Sequence, residues 1–213
     1  MLVVQIYVDD IIFGGTSKQL VDGFTRDMTK EFEMSMVGEL KYFLGLQIQQ
    51  IEEGVFISQS TYAKTLLKRF QLDHCKEAKT PMSSTNKSCK DEEGEPVDTK
   101  LYRGMIGSLL YLTASRPDLN LSVGICARYQ ATPKKSHLEA NKRIIRYVNG
   151  TNNLGIYYSK GSNGNLDGYC DADWAVSVNN RKSTSGGCFF LENNLIAWLS
   201  KKQNSVSLST AEA

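Results

Sequence analysis

The sequence predicts an α+β chain, and three observations predict it. Strand-like apolar runs open the chain and recur before residue 60, with an amphipathic stretch between them. Helical periodicity dominates the middle, from about residue 100 to about 150. After residue 165 the period returns to short strand-like segments bounded by Asn, Gly and Lys.

The first element, Leu2-Val3-Val4-Gln5-Ile6-Tyr7-Val8, is β-branched and aromatic, as a buried strand would be. Asp9-Asp10 interrupts it, and Ile11-Ile12-Phe13 resumes the apolar run before Gly14-Gly15. The pattern predicts two short strands around a carboxylate-bearing turn. Ser17 is a polar N-cap, and Leu20, Phe24, Met28 and Phe32 recur every four residues, which predicts a helix with one apolar face. Residues 42–51 read as a strand, Glu52-Glu53-Gly54 as a turn and Val55-Phe56-Ile57 as its hairpin partner. Tyr62, Leu66 and Phe70 align a second helix, with Lys64, Lys68 and Arg69 elsewhere on its surface.

Between residues 76 and 99 Ser, Thr, Lys and Glu dominate and large apolar side chains almost vanish, which predicts a linker or long exposed loop. Helical patterning over 101–114 stops at Arg116-Pro117, because proline disfavours α geometry in the residue before it. Further helices are expected over about 117–129 and 135–148. Strands are expected at Leu166–Ala172, 185–191, 196–199 and 205–208, with two lobes joined around 161–164. Trp174 and Trp198 fall in this strand context and read as core rather than stacking residues. Ser209-Thr210-Ala211-Glu212 matches a capping box, so a helix is expected to begin there, and truncation is the expectation its position suggests.

Composition narrows the function classes. Apolar residues at 41% and charged residues at 23% are globular values, so wholesale disorder is not expected. The longest apolar stretches are too short for a membrane span, which needs about 20 residues. Met1 leads straight into Leu2-Val3-Val4 without a basic, Ser-rich leader, so an intracellular setting is expected. A net charge of +2 does not by itself mark a nucleic-acid binder. Cys75, Cys89, Cys126, Cys170 and Cys188 are widely spaced without a CxxC, and the histidines are only His74 and His137. Neither zinc nor disulfides are expected from that pattern.

The strongest chemical signal is the Asp9-Asp10 pair. Adjacent carboxylates at a tight turn repel each other and resist burial, and a divalent cation relieves both. Mg²⁺ takes oxygen ligands, commonly one or two carboxylates plus substrate phosphates. A solvent-exposed Asp-Asp turn is the plain alternative.

Tyr7-Val8-Asp9-Asp10 resembles the catalytic hairpin of reverse transcriptases, and the chain beyond it is similar to the Pol polyprotein of copia-type retrotransposons. The resemblance is carried in order by Tyr42-Phe43-Leu44-Gly45, the QSTYAKTLL string from Gln59 to Leu67, Thr80-Pro81 and the YRGMIGSLLYL string from Tyr102 to Leu112. It continues through Arg116-Pro117-Asp118, Arg146-Tyr147-Val148-Asn149-Gly150-Thr151 and Asp171-Ala172-Asp173-Trp174. Arg181-Lys182-Ser183-Thr184-Ser185-Gly186, Ser200-Lys201-Lys202-Gln203 and Leu208-Ser209-Thr210-Ala211-Glu212 close the series. Val176 stands where the family usually has Gly, and Ala197 where it usually has Ser.

The resemblance implies a division of labour. Residues 1–75 would be the later part of a polymerase palm, with Asp9 and Asp10 as catalytic Mg²⁺ ligands in a two-metal site. Tyr7, Phe43, Leu44 and Gly45 would then lie where such enzymes hold the primer end. After a polar linker at 76–99, residues 100–160 would be a helical thumb or connection. There Lys134, Lys135, Lys142, Arg143 and Arg146 would be available to template–primer phosphates, or would form a solvated face. Residues 165–213 resemble the opening of a ribonuclease H-like domain, with Asp171 preferred over Asp173 as its metal ligand. RNA template and RNA–DNA hybrid are the implied partners. A third palm carboxylate and the ribonuclease H helix Glu are not expected within these residues. The chain therefore reads as a fragment, inactive alone, of an RNA-directed DNA polymerase with ribonuclease H, from a degenerate element or an incomplete gene model. A non-catalytic template–primer binding module and a domesticated interaction protein are the other readings.

Overall fold

The computed structural model describes residues 1–83, 90–161, 164–175, 177 and 180–212, and it divides into two compact units, Met1–Phe43 and Leu44–Ala213. Helices and antiparallel sheets are both present, as the alternating periods predict.

In the first unit, β1 (Leu2–Tyr7) and β2 (Asp10–Gly15) form an antiparallel hairpin registered from Leu2↔Gly15 to Tyr7↔Asp10. The turn is therefore Val8 and Asp9. Helix α1 (Lys18–Glu31) packs on β2, its Phe24 ring meeting Phe13 edge-on with centroids 4.9 Å apart. The half-buried residues of α1 include Val21, Phe24 and Met28, whereas Leu20 and Phe32 are exposed. A strict four-residue spacing drifts about 40° per step around a 3.6-residue helix, so the four predicted positions cannot share one face. Two-residue strand β3 (Tyr42–Phe43) ends this unit, in which no residue is fully buried.

The single strand expected over 42–51 is broken. Leu44 and Gly45 have φ of +48° and +78°, a reversal that no strand accommodates. The Tyr111 hydroxyl donates to the Leu44 carbonyl, and a Cβ on Gly45 would stand 2.1 Å from that hydroxyl. Glycine is required there on both counts.

The second unit begins with β4 (Leu46–Ile51) and β5 (Gly54–Ser58), a hairpin whose Ile51↔Gly54 pair leaves Glu52 and Glu53 as the turn. Gln47 on β4 caps helix α2 (Ser60–Arg69), its Oε1 accepting from the Thr61 amide at 2.7 Å and the Ser60 hydroxyl at 2.8 Å. Helix α3 (Thr99–Leu112) starts at Asp98, whose carboxylate accepts from the Lys100 amide. The helix expected over about 117–129 is instead a 3₁₀ turn at Pro117–Leu119 followed by α4 (Asn120–Ala127). Helix α5 (Lys135–Gly150) leads into β6 (Gly155–Ser159), which pairs with β5 from Gly54↔Ser159 to Ser58↔Gly155.

These helices share one core. Leu66 and Leu67 of α2 pack with Met105, Ile106 and Leu109 of α3, Val123 of α4, and Ile144, Ile145 and Val148 of α5. Helix α2, on the near side of the boundary expected at residue 75, thus belongs to the same hydrophobic cluster as the segment beyond it. Strand β6, which the sequence reading passed over, pairs along the edge that β5 offers.

The 76–99 segment is tied down on both flanks of residues 84–89, which lie outside the described residues together with Cys89. The Ala78 amide donates to the Arg146 carbonyl, and Pro96 bridges to Lys134.

The C-terminal sheet is an antiparallel meander of β7 (Leu166–Ala172), β8 (Thr184–Leu191) and β9 (Asn194–Lys202). No strand forms at 205–208 and no helix at 209–212. The Glu212 carboxylate reaches back as a capping acid would, but accepts from the Leu208 amide at 2.8 Å instead of the Ser209 amide. This sheet is part of the second unit rather than a lobe of its own. The Asn194 side chain holds β6 by accepting from the Ser159 amide at 2.7 Å, and Arg128 beyond α4 donates to the Thr184 hydroxyl at 3.0 Å. Of the expected join at 161–164, residues 162 and 163 lie outside the described residues. Trp174, expected in the core, is half exposed, with its indole N–H donating to the Ser207 carbonyl.

At the end of α3, Arg116 is 2% exposed yet charged. Its guanidinium forks onto both Asp118 oxygens at 2.9 and 2.7 Å, and donates to the Thr151 carbonyl and hydroxyl at 2.8 Å. Tyr147 on α5 donates its hydroxyl to Asp118 at 3.0 Å. Burial acts to raise the Asp118 carboxyl, but the Arg116 hydrogen bonds and charge, with Tyr147, overcome it and hold the group below the usual carboxylate range.

Two predictions follow from these contacts. Asp118→Asn strands a buried guanidinium and should cost about 3 kcal/mol at neutral pH by urea unfolding, the low end for a broken buried pair because Asp118 is 34% exposed. A carboxyl depressed in the folded state contributes stability above its unfolded pKa of about 3.9, lost as pH falls through the folded value. The wild type should therefore lose a stabilising increment on acidification that the variant never had; parallel pH–stability curves would contradict this. Gly45→Ala should cost about 1–3 kcal/mol, and less in a Tyr111→Phe background, since the two positions meet. Equal costs in both backgrounds would show that the Tyr111 hydroxyl is not the obstacle.

Candidate nucleic-acid site

The hairpin turn carries the first pair of acids. Val8 has φ +50°, a left-handed conformation that a β-branched residue adopts only under constraint. Its neighbour Asp9 occupies the second turn position, and Asp10 begins β2 opposite Tyr7. Both carboxylates are exposed. The Tyr7 ring packs edge-on against Phe43 with centroids 6.0 Å apart, so the structure brings together two of the residues expected to hold a primer end. Leu44 and Gly45 instead serve the backbone reversal described above.

Among the described residues no group of three or more His, Cys, Asp or Glu side chains could hold a metal ion. The hairpin offers two adjacent carboxylates with open surroundings. That donor set fits a hard cation that completes its shell with water and phosphate oxygens, as Mg²⁺ does.

Asp171 lies on β7, exposed, directly opposite Gly186, which is itself opposite Ser200 on β9. A Cβ at Gly186 would meet only the Asp171 and Leu199 carbonyls, at 3.8 and 4.0 Å. The space beside Asp171 is therefore open, the situation in which a strand glycine admits another backbone. Two residues further along the same face, Thr184 pairs with Lys202, and the Asp173 amide donates to the Thr184 carbonyl at 3.2 Å. Asp173 lies just past the end of β7.

The basic residues expected along α5 are largely engaged within the chain. Lys134 Nζ donates to the Glu92 and Gly94 carbonyls at 3.2 and 2.8 Å, and Lys135 pairs with Glu95 at 3.1 Å. Arg143 donates to the Thr80 carbonyl at 3.2 Å and hydroxyl at 2.8 Å. Arg146 is half-buried, with Nε enclosed and without a hydrogen-bond partner. Lys142 is exposed. Three of these five cations, Lys134, Lys135 and Arg143, fasten the 76–99 segment to α5.

Sequence reading passed over Arg128 and Lys202. Lys202 carries a weak signal in the Lys201-Lys202 pair at a strand end. Arg128 carries none, because the hydroxyl it binds is 56 residues away in sequence. The four described cysteines are free thiols, and no helix among the described residues is long and apolar enough to cross a membrane.

Residues 1–84 match the family model described as reverse transcriptase (RNA-dependent DNA polymerase). Over 97% of its length the chain is 37% identical to an uncharacterized mitochondrial protein of Arabidopsis thaliana, of which it spans 86%. It is 36% identical over 98% of its length to the retrovirus-related Pol polyprotein from transposon RE1 of the same plant. It is 34% identical over its whole length to that from transposon TNT 1-94 of Nicotiana tabacum. The chain spans only 14% and 17% of those two polyproteins. No solved structure matches it. An Asp-Asp hairpin within the matched segment, and likeness along almost every residue to retrotransposon Pol polyproteins, lead to one conclusion: the chain belongs to the reverse transcriptase family, in the form carried by copia-type Pol polyproteins.

Proposed function

We propose that this chain is the part of an RNA-directed DNA polymerase that carries the catalytic hairpin, continuing through a thumb or connection into the start of a ribonuclease H-like sheet. The observation that carries the reading is the Asp9–Asp10 pair at the tip of a strained, apolar-stranded hairpin, inside the segment that matches the reverse transcriptase model. In this reading residues 1–75 are palm, 76–99 a connecting segment, 100–160 thumb or connection, and 165–213 ribonuclease H-like. Asp9 and Asp10 would hold Mg²⁺ through carboxylate oxygens. Bound there, the metal supplies charge neutralisation for the attacking hydroxyl and the leaving pyrophosphate. Tyr7 and Phe43 would present an aromatic surface to the primer end. Asp171, beside the opening at Gly186, would hold the metal of RNA-strand hydrolysis.

The reading also says how this chain behaves alone. Among the described residues no group of three metal-binding side chains gathers at either centre, which leaves most of the metal's shell to water and substrate. Neither centre is then complete in these residues, and the 213-residue chain should be inactive in primer extension with Mg²⁺ or Mn²⁺. Template-dependent synthesis abolished by Asp9→Asn would overturn that expectation.

The direct test is Mn²⁺ binding followed by electron paramagnetic resonance in the presence of a short RNA–DNA hybrid. Wild type should bind Mn²⁺ more tightly with the hybrid than without it. Asp9→Asn/Asp10→Asn should weaken the hybrid-dependent component about tenfold or more, as loss of ligand charge implies. An unchanged Mn²⁺ titration in that double variant would remove the hairpin from metal binding.

A further inference from the structure

Two cations, Arg128 and Lys202, meet at Thr184 where α4 meets the C-terminal sheet, on the face that carries Asp171, and Lys182 acts on Lys202 from nearby. Arg128, just beyond α4, donates through Nη2 to the Thr184 hydroxyl at 3.0 Å. Lys202 stands directly across from Thr184 on β9, and its amine lies 3.4 Å from the Ser177 hydroxyl. Lys182, two residues before Thr184, donates to the Asn204 carbonyl. All three side chains are half-buried. Asp173 is the carboxylate whose charge acts on Arg128.

We propose that Arg128, Lys182 and Lys202 form an anion site that holds one backbone phosphate of a nucleic-acid strand, one rung of the sheet away from Asp171. The proposal rests on the ribonuclease H-like reading of this sheet and names how that site takes its substrate. Like charges do not gather on one half-buried patch without a partner. Burial, with Arg128 and Lys182 nearby, already holds the Lys202 amine below its usual range. An anion relieves that repulsion, and the local chemistry suits phosphate. A guanidinium has five donors, and the one bond to Thr184 fixes its plane while leaving others to fork onto phosphate oxygens. The Thr184 and Ser177 hydroxyls stand beside the two charges.

Placement argues for a polymer rather than a free anion. Thr184–Lys202 and Gly186–Ser200 are successive pairs on one face, about 7 Å apart along the strands. That is the scale separating neighbouring phosphates of one strand. A phosphate seated on the cations sets the next one over the opening beside Asp171, where glycine has left room. Of the cations along α5, Lys134, Lys135 and Arg143 are already engaged within the chain.

The test uses the 213-residue chain in two arms. In the first, a labelled RNA–DNA hybrid is titrated across a salt series by anisotropy with wild type, Lys202→Gln and Lys182→Gln. Each variant should bind several-fold more weakly, with the log–log salt slope reduced by about 0.7–0.9 for one lost phosphate contact. In the second, melting is followed in inorganic phosphate and in chloride at matched ionic strength. Phosphate should raise the wild-type midpoint more than that of Lys202→Gln, whose midpoint in chloride should not fall below wild type because a repulsion has been removed. A phosphate shift lost in Lys202→Gln, without hybrid binding, would keep the anion site and remove the ribonuclease H-like reading. Hybrid binding indifferent to both lysines would keep that reading and overturn the site. A chloride midpoint lowered in Lys202→Gln with no phosphate effect would make Lys202 a packing residue and overturn the site as well.

Discussion

One buried guanidinium decides how the second unit is put together. Arg116 sits where α3 ends, and its fork onto Asp118 fixes the 3₁₀ turn that launches α4. The same group donates to the carbonyl and hydroxyl of Thr151, the residue at which α5 ends. Four residues later β6 begins and pairs with β5. A charge removed from water costs several kcal/mol unless its donors are matched, and here four hydrogen bonds and the Tyr147 ring match them. The arrangement is directional where the surrounding Leu and Ile packing is not. Apolar burial drives α2, α3, α4 and α5 together, but it is indifferent to small rotations and slides. The Arg116 fork tolerates neither, so it sets the exit of α5 and with it the strand that closes the sheet.

Charge is used in three different ways along this chain. On α5 it fastens an apolar-poor segment that has little hydrophobic means of its own to stay in place; Lys134 and Arg143 bind backbone carbonyls there. At Arg116 it is buried and paired. At Arg128, Lys182 and Lys202 it is gathered with a surplus of one sign. Composition cannot separate these uses, since a net charge of +2 sums over all of them. Only the partner of each cation tells whether it is spent on the fold or left for a ligand.

The same distinction explains what the sequence makes legible. The hairpin around Asp9, the three strands after residue 165 and the bodies of α2, α3 and α5 are encoded in local period and turn chemistry. Their signals lie within a dozen residues. The break at Leu44 and Gly45 depends on Tyr111, 67 residues beyond the carbonyl it binds. Strand β6 depends on an edge supplied by β5, and Arg128 on a hydroxyl in another sheet. Trp174 shows the converse error: a large aromatic in strand context reads as core, whereas its indole N–H reaches the Ser207 carbonyl at a half-exposed edge. The acids Asp9, Asp10 and Asp171 are visible in sequence because their motifs are contiguous. The open space beside Asp171 is not, since it needs Gly186 to arrive opposite it.

The two units carry their chemistry on different mechanical terms. In Met1–Phe43 no residue is fully buried, and a two-stranded hairpin is marginal in water without further packing. Yet Val8 there is held at φ +50°, a conformation that costs of order 1–3 kcal/mol. The six residue pairs of the hairpin and the Phe13–Phe24 contact are what sustain that strain. A metal shared by Asp9 and Asp10 would oppose the repulsion that the turn imposes on two adjacent carboxylates. Asp171 and Lys202 sit instead on a sheet tied to the helical part of the second unit, through Arg128 at Thr184 and Asn194 at Ser159.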